Sequence, residues 1–562
     1  MAKLTVKQMI YLANSNISDH TELAECIGVK TMRVKSFLES KDSTIATAPI
    51  YWVEFWQLFK DCEGDESVIL ATHEKEKTAV KSDRVDDRPI SGGEMTATTT
   101  GKQSLEGRRF VFTSAQNNTN IHENFFQSLL TYCKENDAEL IVGTFIYNKN
   151  GFQNGTLESD DVWFDPKIRP FLLTEGRIIA PGLEWCGELN ILPTAKYPLS
   201  GFEQYTGKAS AIVPHAKISM ESIATAKIEA AKLMYSTGAI TQHNYIQKKA
   251  GQVAESEHCF GAVIVEIDEQ GEWFARQIQT DESGSFQDLT TVYHPNKVYK
   301  DACVLGINWG DLHSEKSDYH ILRACREMLD DLQPSYQFFH DCFDMTSRNH
   351  HNRKSGFFLA KMAANGETVE KDLQQCADVL GSFNRPDVTS VIVESNHDLA
   401  LESWLDCNIY DYRQDPVNAL TYLKLQAAKY EAISQDEDDF NLLKYALTDH
   451  IVAGTTADLK KYTFLSVDSE FQIAGIECGM HGHIGANGSR GSPKQFRKLA
   501  MRVNTGHTHS ASIHGGVYTA GVTGKLDMGY NTGPSSWSHS HIVTYPNGMR
   551  SILTMKNGKY QA

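Results

Sequence analysis

Apolar residues recur at helical spacing near the start of the chain, at Leu23, Ala24, Ile27, Val34 and Phe37. This pattern predicts two helices, with Gly28 at a tight turn between them. The second predicted helix carries Lys30, Arg33 and Lys35, so the pair fits the helix-turn-helix pattern of DNA-binding modules. Residues 1–62 are therefore predicted to form a small helical module that contacts DNA. The alternative is a helical hairpin that serves only in packing or oligomerisation.

The pattern of apolar and polar residues changes twice between residues 63 and 295. Residues 63–107 mix charged residues with Thr, Ser and Gly and show little periodicity, which predicts a linker. From Arg108 onward we predict a strand, a helix and a parallel strand from the segments FVFTSAQ, HENFFQSLLTYCKEND and AELIVGTFIY. A further helix is predicted over MESIATAKIEAAKLMYS and a further strand over CFGAVIVEID. We expect residues 108–295 to form an α/β accessory domain.

From residue 300 onward, five apolar segments each predict a strand that runs into a polar cluster. The segments are VLGINWG, SYQFFH, VTSVIVES, EFQIAGIECGM and AMRVNTG. The clusters that follow them are, in the same order, Asp311 with His313, Asp341 with Asp344, Asn396 with His397 and Asp398, His481 with His483, and His507 with His509. Loops at the carboxyl ends of parallel strands converge at one edge of a sheet. We therefore expect these side chains to share one small volume.

The residue types in these clusters indicate a metal site. Carboxylate, imidazole and amide oxygen ligands together suit divalent ions such as Mn²⁺, Zn²⁺, Fe²⁺ or Mg²⁺. Two ligand residues that are separated by one position point the same way in an extended segment, so both can reach one metal centre. The alternative is a set of unrelated core and surface histidines, since the chain contains 21 of them.

Composition narrows the possible classes of protein. The chain has 562 residues and a net charge of −17, which suggests about three or four domains and excludes a protein that coats nucleic acid by bulk charge. A local basic groove or a site made positive by metal ions is still possible. The eleven cysteines form no C-x-x-C pair, which favours a reducing compartment over a disulfide framework. No long apolar run or signal segment is present, so we predict a cytoplasmic protein without a membrane span.

The ordered motifs resemble the calcineurin-like metallophosphoesterases. That family carries D-x-H, G-D-x-x-D, G-N-H-D/E, a further His and G-H-x-H in this order, and the resemblance covers roughly residues 298–530. Two positions depart from the family, because His340 and Ser395 stand where it has glycine. The resemblance implies that residues 296–562 form a catalytic β-sandwich flanked by helices. The expected fold is therefore α/β, with the accessory domain in the middle and the helical module at the N-terminus.

The resemblance also implies a role for each residue of the motifs. The first metal ion would be held by Asp311, His313 and His509, and the second by Asn396, His481 and His507. Asp341 would bridge the two ions, which would be Mn²⁺ or Mg²⁺. His397 would protonate the leaving oxygen and would be oriented by Asp398, while Asp344 would fix a ligand by a hydrogen bond. His483 is the alternative to His481.

Basic residues near the motifs point to a polymeric substrate. They are Arg490, Lys494, Arg497 and Lys498 after His481, and Arg353 and Lys354 after Asp341. Such charges can grip several phosphates of DNA, and the alternative is a solvated helix face. The whole chain also resembles the pre-early nucleases of T-five-like coliphages. That resemblance implies a DNA nuclease that degrades host DNA in the infected cytoplasm, forms a homo-oligomer and has a phage DNA-binding protein as a candidate partner.

Two other functions are compatible with the same residues. One is a phosphomonoesterase or cyclic-nucleotide phosphodiesterase on the same scaffold, which needs a small closed pocket instead of a basic groove. The other is a DNA-binding regulator or scaffold that uses the N-terminal helices and carries a degenerate metal site.

Overall fold

The computed structural model describes residues 6–15, 19–21, 24, 31–39, 55, 56, 59, 60, 107–147, 162–349, 355–406, 410–450, 452 and 459–562. The chain divides into two compact units, Met1–Gln103 and Ser104–Ala562. In the first unit, helix α1 spans Val6–Asn14 and helix α2 spans Thr31–Glu39. The buried ring of Phe37 on α2 stacks on Trp56, with 5.0 Å between the ring centroids. This aromatic contact gives the helical module its own small core.

Several predicted features of the N-terminal region lie outside the described residues. They are the turn at Gly28, Lys30, the side chain of Arg33 and residues 63–106 of the predicted linker. The helix-turn-helix geometry and its contact with DNA therefore stay predictions.

The second unit contains helices and strands in mixed order. Its helices are α3 Glu123–Asn136, α4 Lys249–Ser256, α5 Tyr319–Leu332, α6 Gly356–Ala364, α7 Val369–Ser382, α8 Ala400–Asp406, α9 Ala419–Ser434, α10 Leu442–Tyr445 and α11 Pro493–Phe496. Its strands are β1 Arg109–Gln116, β2 Ala138–Phe145, β3 Gly176–Ala180, β4 Leu183–Cys186, β5 Ser210–Val213, β6 Ser219–Ile223, β7 Lys232–Ser236, β8 Gly261–Ile267, β9 Trp273–Gln279, β10 Phe286–Asp288, β11 Thr291–His294, β12 Lys297–Tyr299, β13 Gly306–Asn308, β14 Tyr336–Phe339, β15 Thr389–Val393, β16 Thr463–Leu465, β17 Gln472–Ile473, β18 Ile476–Glu477, β19 Arg502–Thr505, β20 Ser512–His514, β21 Val517–Thr519, β22 Ser540–Thr544 and β23 Arg550–Thr554. Among these helices, none combines the length and the apolar character needed to cross a bilayer.

The predicted strand, helix and parallel strand after Arg108 are confirmed. β1 and β2 pair in parallel, and the four-stranded sheet has the order β2-β1-β8-β9. Between them, α3 buries Phe125, Leu129 and Tyr132, which lie on one face of the helix. The side chain of His122 accepts a hydrogen bond from the Phe125 amide and thereby caps the helix.

Two larger sheets form the body of the second unit. The six-stranded sheet has the order β16-β15-β14-β13-β22-β23, and the ten-stranded sheet has the order β17-β18-β19-β21-β20-β6-β7-β5-β4-β3. Phe338 and Val391 from the first sheet share one buried cluster with Ile473 and Ile476 from the second. The two sheets therefore bury apolar side chains against each other. Helices, among them α5, α7 and α8, contribute to the large core on the six-stranded sheet.

One sheet connects the two sides of the predicted boundary between residues 295 and 296. The ten-stranded sheet joins strands from both sides of it, because β6 pairs antiparallel with β20 through Met220 and Ile513. Backbone hydrogen bonds thus connect the predicted accessory and catalytic domains within one sheet. The fold is mixed α/β, and the predicted middle domain is only partly separate.

The helix predicted over residues 220–236 is wrong. This segment forms the antiparallel strands β6 and β7, with Met220 opposite Tyr235. All five residues of β7 are buried, whereas a surface helix would expose the residues on its outer side. Even Lys232 is buried, and its ammonium group donates to the carbonyl oxygens of Glu203 and Gly207.

Candidate metal centre

Loops that follow strands of both large sheets converge on one region. In the six-stranded sheet, β13, β14 and β15 lead to Asp311 and His313, to Asp341 and Asp344, and to His397. In the ten-stranded sheet, β18 and β19 lead to His481 and to His507 and His509. Both groups of strands are parallel, so the loops leave from carboxyl ends as expected. The expectation of a single sheet edge is wrong, because β18 and β19 pair with each other in the second sheet.

Four of the predicted ligands form one buried cluster. Asp311, His313, Asp341 and His509 each offer a ligand atom, and these atoms lie within 4.8 Å of one another. The Nε2 atom of His509 lies 3.1 Å from Oδ2 of Asp311, and Nε2 of His313 lies 3.7 Å from Oδ2 of Asp341. This group of two carboxylates and two imidazoles could hold a metal ion.

The carboxylates of this cluster lack ordinary hydrogen-bond partners. Both oxygens of Asp311 and both oxygens of Asp341 are buried and receive no hydrogen bond from the residues that the structure describes. Burial raises the pKa of Asp341, but the charges of His481 and His397 outweigh it and hold the pKa well below its usual range. Two buried carboxylates that lie close together without hydrogen-bond donors form an arrangement that a divalent cation would stabilise. The cluster therefore fits a divalent metal ion.

The backbone at the cluster adopts the left-handed conformation at several ligand positions. The φ angle is 47° at His313, 45° at Asp341 and 57° at His509, which is costly for residues other than glycine. Gly506 has a different reason to be glycine, because a Cβ atom there would lie 2.1 Å from Oδ1 of Asp311. The departure at His340 does not distort the turn, since the positive φ angle falls on the next residue.

Asp344 connects two histidines of the site. Its Oδ1 atom lies 2.9 Å from Nδ1 of His313 and 2.7 Å from Nδ1 of His397. A carboxylate at Nδ1 fixes the orientation of the ring and leaves Nε2 for a ligand or a substrate. The backbone amides of Asp344 and Met345 donate to the partly buried carboxylate of Glu315, which holds this loop in place.

The structure corrects the partner expected for His397. Asp398 accepts hydrogen bonds from the Phe343 amide and the Ser395 hydroxyl at 2.9 Å each, so its oxygens hold the loop and Asp344 contacts the imidazole. Burial lowers the pKa of His397, but Asp341 and Asp344 outweigh it and raise the pKa to about 10. The side chain of His397 is 22% exposed, whereas the side chains of His313 and Asp341 are almost fully buried. His397 is therefore the member of this pair of histidines that solvent can reach.

The residues predicted to hold the second metal ion lie farther apart than the four residues of the buried cluster. His481 is buried, and its Nε2 atom lies 3.3 Å from Oδ1 of Asp341. The ring of His507 lies 5.2 Å from that of His481, while Asn396 is exposed. His483 is only half-buried, at 5.3 Å between ring centroids from His481. The position of His481 against Asp341 favours it over His483 as a ligand.

Sequence reasoning missed three residues beside the cluster. His340 is fully buried, and neither ring nitrogen has a hydrogen-bond partner among the described residues. Trp537 packs edge-on against His509 with 4.2 Å between the ring centroids, and the partly exposed Tyr530 lies next to Trp537. The sequence contained only a weak indication of Tyr530 and Trp537 as site residues. They are two aromatic residues in a segment rich in Gly and Ser, shortly after the last histidine motif.

The predicted DNA-contacting residues have different surroundings. Arg490, Lys494 and Lys498 are exposed. Arg497 instead forms an ion pair with Glu257, so its charge is already compensated. Arg353 and Lys354 lie outside the described residues.

We expect Asp344→Asn to weaken the site without unfolding the protein. Asparagine keeps the shape of the side chain but removes the charge that orients His313 and His397. Loss of such an orienting carboxylate typically lowers metal affinity or activity by about 10–100-fold. Equilibrium dialysis against Mn²⁺ measures this change, and Asp378→Asn on the exposed side of α7 is the matched control. An unchanged affinity would show that Asp344 does not orient the ligands.

The buried carboxyl of Asp372 should make stability depend on pH. Burial raises its pKa to about 6, and its Oδ2 atom accepts a hydrogen bond from the Ser347 amide. The folded protein thus keeps a proton that the unfolded chain releases near pH 4, so the free energy of unfolding falls as the pH rises from about 4 to 6. We expect Asp372→Asn to be more stable than the wild type by about 1–3 kcal/mol at pH 7 and equally stable at pH 4. Denaturant unfolding at both pH values checks this, and a stability difference independent of pH would contradict it.

Fold and site define the class of the molecule: a mixed α/β protein with a buried cluster of Asp and His residues that could hold a metal ion. Over 502 residues the chain is 48% identical to Protein A1 of Escherichia phage T5, and the alignment covers 87% of this chain and 89% of Protein A1. The chain belongs to the family of Protein A1, which confirms the predicted relation to T5-like phage proteins. No family model and no solved structure matches the chain. The resemblance to the metallophosphoesterases therefore stays a prediction.

Proposed function

We propose that this protein is a DNA nuclease that uses two divalent metal ions, with Mn²⁺ or Mg²⁺ as the cofactor. The observation that carries the proposal is the buried cluster of Asp311, His313, Asp341 and His509, whose carboxylate oxygens lack hydrogen-bond partners among the described residues. His481 beside Asp341 extends the cluster toward a second ion. The order of these residues along the chain matches the motifs of the calcineurin-like metallophosphoesterases.

The residues around the cluster supply the remaining chemistry. Bound divalent cations would acidify a water molecule and offset charge on the scissile phosphate. His397 lies at the accessible end of the site, and Asp344 orients its ring through Nδ1. His397 can therefore donate a proton to the leaving oxygen from Nε2, while Asp344 holds the other ring nitrogen. The buried carboxylates of Asp311 and Asp341 would hold the cations and would not take part in proton transfer.

The distribution of charge supports a polyanionic substrate at the metal cluster. The chain as a whole is strongly acidic, at −17, and would repel DNA at most of its surface. Cations held in the cluster would reverse the local sign. The relation to a phage protein places the proposed reaction in an infected bacterium, where host DNA is the polyanion that we propose as the substrate.

The direct test offers the purified full-length chain two substrates, plasmid DNA and p-nitrophenyl phosphate, with Mn²⁺ and with EDTA. The proposal predicts cleavage of the plasmid with Mn²⁺ and none with EDTA. Hydrolysis of the small ester alone would favour a phosphomonoesterase. Cleavage of DNA at the same rate in EDTA would overturn the role of the metals.

A further inference from the structure

A cavity of about 360 Å³ lies in the second unit and shares no lining residue with the metal cluster. Its wall combines segments that are far apart in sequence: the loop of Lys196 and Tyr197, the segment before β6 with Lys217, Arg497 after α11, and His514 at the end of β20. The volume falls within the range of small-ligand sites. Neither the proposed reaction nor the relation to Protein A1 assigns a role to it.

Positive charge collects in the wall of the cavity and at Lys494, which lies beside the lining residue Tyr197 without lining the cavity itself. The charged ends of Lys196, Lys494 and Arg497 lie 5.3, 5.3 and 5.4 Å from the ring centroid of Tyr197. The carboxylate of Glu257 is shared by the ion pairs of Lys217 and Arg497. One carboxylate therefore serves two of the cations.

The two remaining lysines have no such compensation. Lys196 and Lys494 form no ion pair within the described part of the chain, although Glu203 and Glu221 lie near enough to Lys494 to attract its charge. Positive charge that is left over at the rim of a cavity attracts an anionic group, above all in an acidic protein.

A buried histidine offers polar atoms to the interior of the cavity. His514 is 7% exposed and lines the cavity, and its ring lies edge-on to that of Tyr197 with 6.1 Å between the ring centroids. Burial, reinforced by Lys494 and Arg497, lowers its pKa to about 4, so the imidazole is neutral and presents one donor and one acceptor. Ile218 and Cys259 add apolar surface beside it.

We propose that this cavity binds a nucleotide. Its phosphate would lie at Lys196 and Lys494, and its base would lie beside Tyr197 within reach of His514. The combination matches the requirements of a nucleotide, because cations bind the phosphate, an aromatic ring packs on the base and a neutral polar group meets the base edge. The proposal rests on the proposed function in one respect: the nucleotide belongs to the DNA strand that reaches the metal centre.

The chain itself limits the distance between the two sites. His514 follows His509 by five residues, so their Cα atoms are at most about 18 Å apart. Successive nucleotides of one strand rise by about 3.4 Å in B-form DNA. A strand bound at the metal centre could therefore place a nucleotide about five positions away in the cavity.

Binding of a fluorescent single-stranded oligothymidylate in EDTA tests the proposal without catalysis. Compared with the wild type, the double variant Lys196→Ala/Lys494→Ala should bind at least about tenfold more weakly at 0.1 M salt. The slope of log Kd against log salt should fall by about 0.7, because the two lysines contact one phosphate and each phosphate neutralised on a single strand contributes about 0.7. The control is Lys297→Ala/Lys300→Ala, which removes two exposed lysines on and beside β12 and should leave both quantities unchanged.

Further variants and a free nucleotide decide what occupies the cavity. His514→Ala should weaken binding of the oligonucleotide while leaving the salt slope unchanged, since it removes no charge. Competition by millimolar dTMP that is lost in the double lysine variant would identify a free mononucleotide as the ligand, whereas binding of the oligonucleotide alone would identify the DNA strand. Equal affinity and slope in the wild type and the double lysine variant would overturn the proposal. Because EDTA removes the metals, this binding experiment does not depend on catalysis. The nucleotide proposal and the nuclease proposal can therefore each fail without the other.

Discussion

Asp341→Ala should abolish metal binding and lower the rate of DNA cleavage by at least about 10³-fold. Asp341 lies between the two groups of ligands, with one oxygen near His481 and the other near His313 and His509. Its removal therefore withdraws a carboxylate from both proposed metal positions. Metal-assisted catalysis contributes several kcal/mol, and about 1.36 kcal/mol corresponds to each factor of ten in rate.

The same variant separates loss of the site from loss of the fold. The carboxylates of Asp311 and Asp341 repel each other, but the surrounding histidines outweigh this repulsion and burial and hold both pKa values below their usual range. In EDTA, Asp341→Ala should still unfold in one cooperative transition, and only the wild type should gain stability when Mn²⁺ is added. Asp387→Ala, in an exposed loop, is the control and should match the wild type throughout. Wild-type metal content in Asp341→Ala would show that this residue is not a ligand.

His397→Ala should have the second largest effect, with a loss of about 10²–10⁴-fold in rate while the metal content stays the same. The partly exposed imidazole contacts Asp344 through Nδ1 and carries a pKa of about 10. It is thus suited to protonate a leaving oxygen. It is not one of the four clustered ligands Asp311, His313, Asp341 and His509, although it forms a second group of metal-ligand residues with His313 and Asp344.

Two measurements check this expectation together: cleavage of plasmid DNA and elemental analysis of the dialysed protein. A substrate whose leaving group needs no protonation should be cleaved by His397→Ala nearly as well as by the wild type. His320→Ala, on the exposed surface of α5, controls for the general effect of removing a histidine. If His397→Ala instead loses the metals, the residue is a ligand and the assignment of the general acid is wrong.

The sequence predicted the members of the site better than the fold around them. Asp311, Asp341 and His509 could be found because each follows an apolar strand segment, and strand ends place polar loops at an edge. The pairing of β18 and β19 in a second sheet could not be found, since alternation of side chains shows that a strand exists but not which strand lies beside it.

Two errors have identifiable physical causes. The segment from Met220 to Ser236 contains many Ala, Lys and Glu residues, which favour helices by intrinsic propensity, but pairing with β20 and full burial of β7 outweighed that preference. Asp398 was expected to orient His397 because it is adjacent in sequence. Asp344, which follows a different strand, makes the contact instead, and such a contact depends on tertiary structure alone.

The central claim is that this chain holds a pair of divalent cations at the ends of its two large sheets. Anomalous scattering from crystals of the full-length protein grown with Mn²⁺ tests it most directly. The account predicts two peaks about 3.5–4 Å apart, with Asp341 between them and Asp311, His313 and His509 around one of them. A map with no peak at these residues, although Mn²⁺ is present in excess, would contradict it.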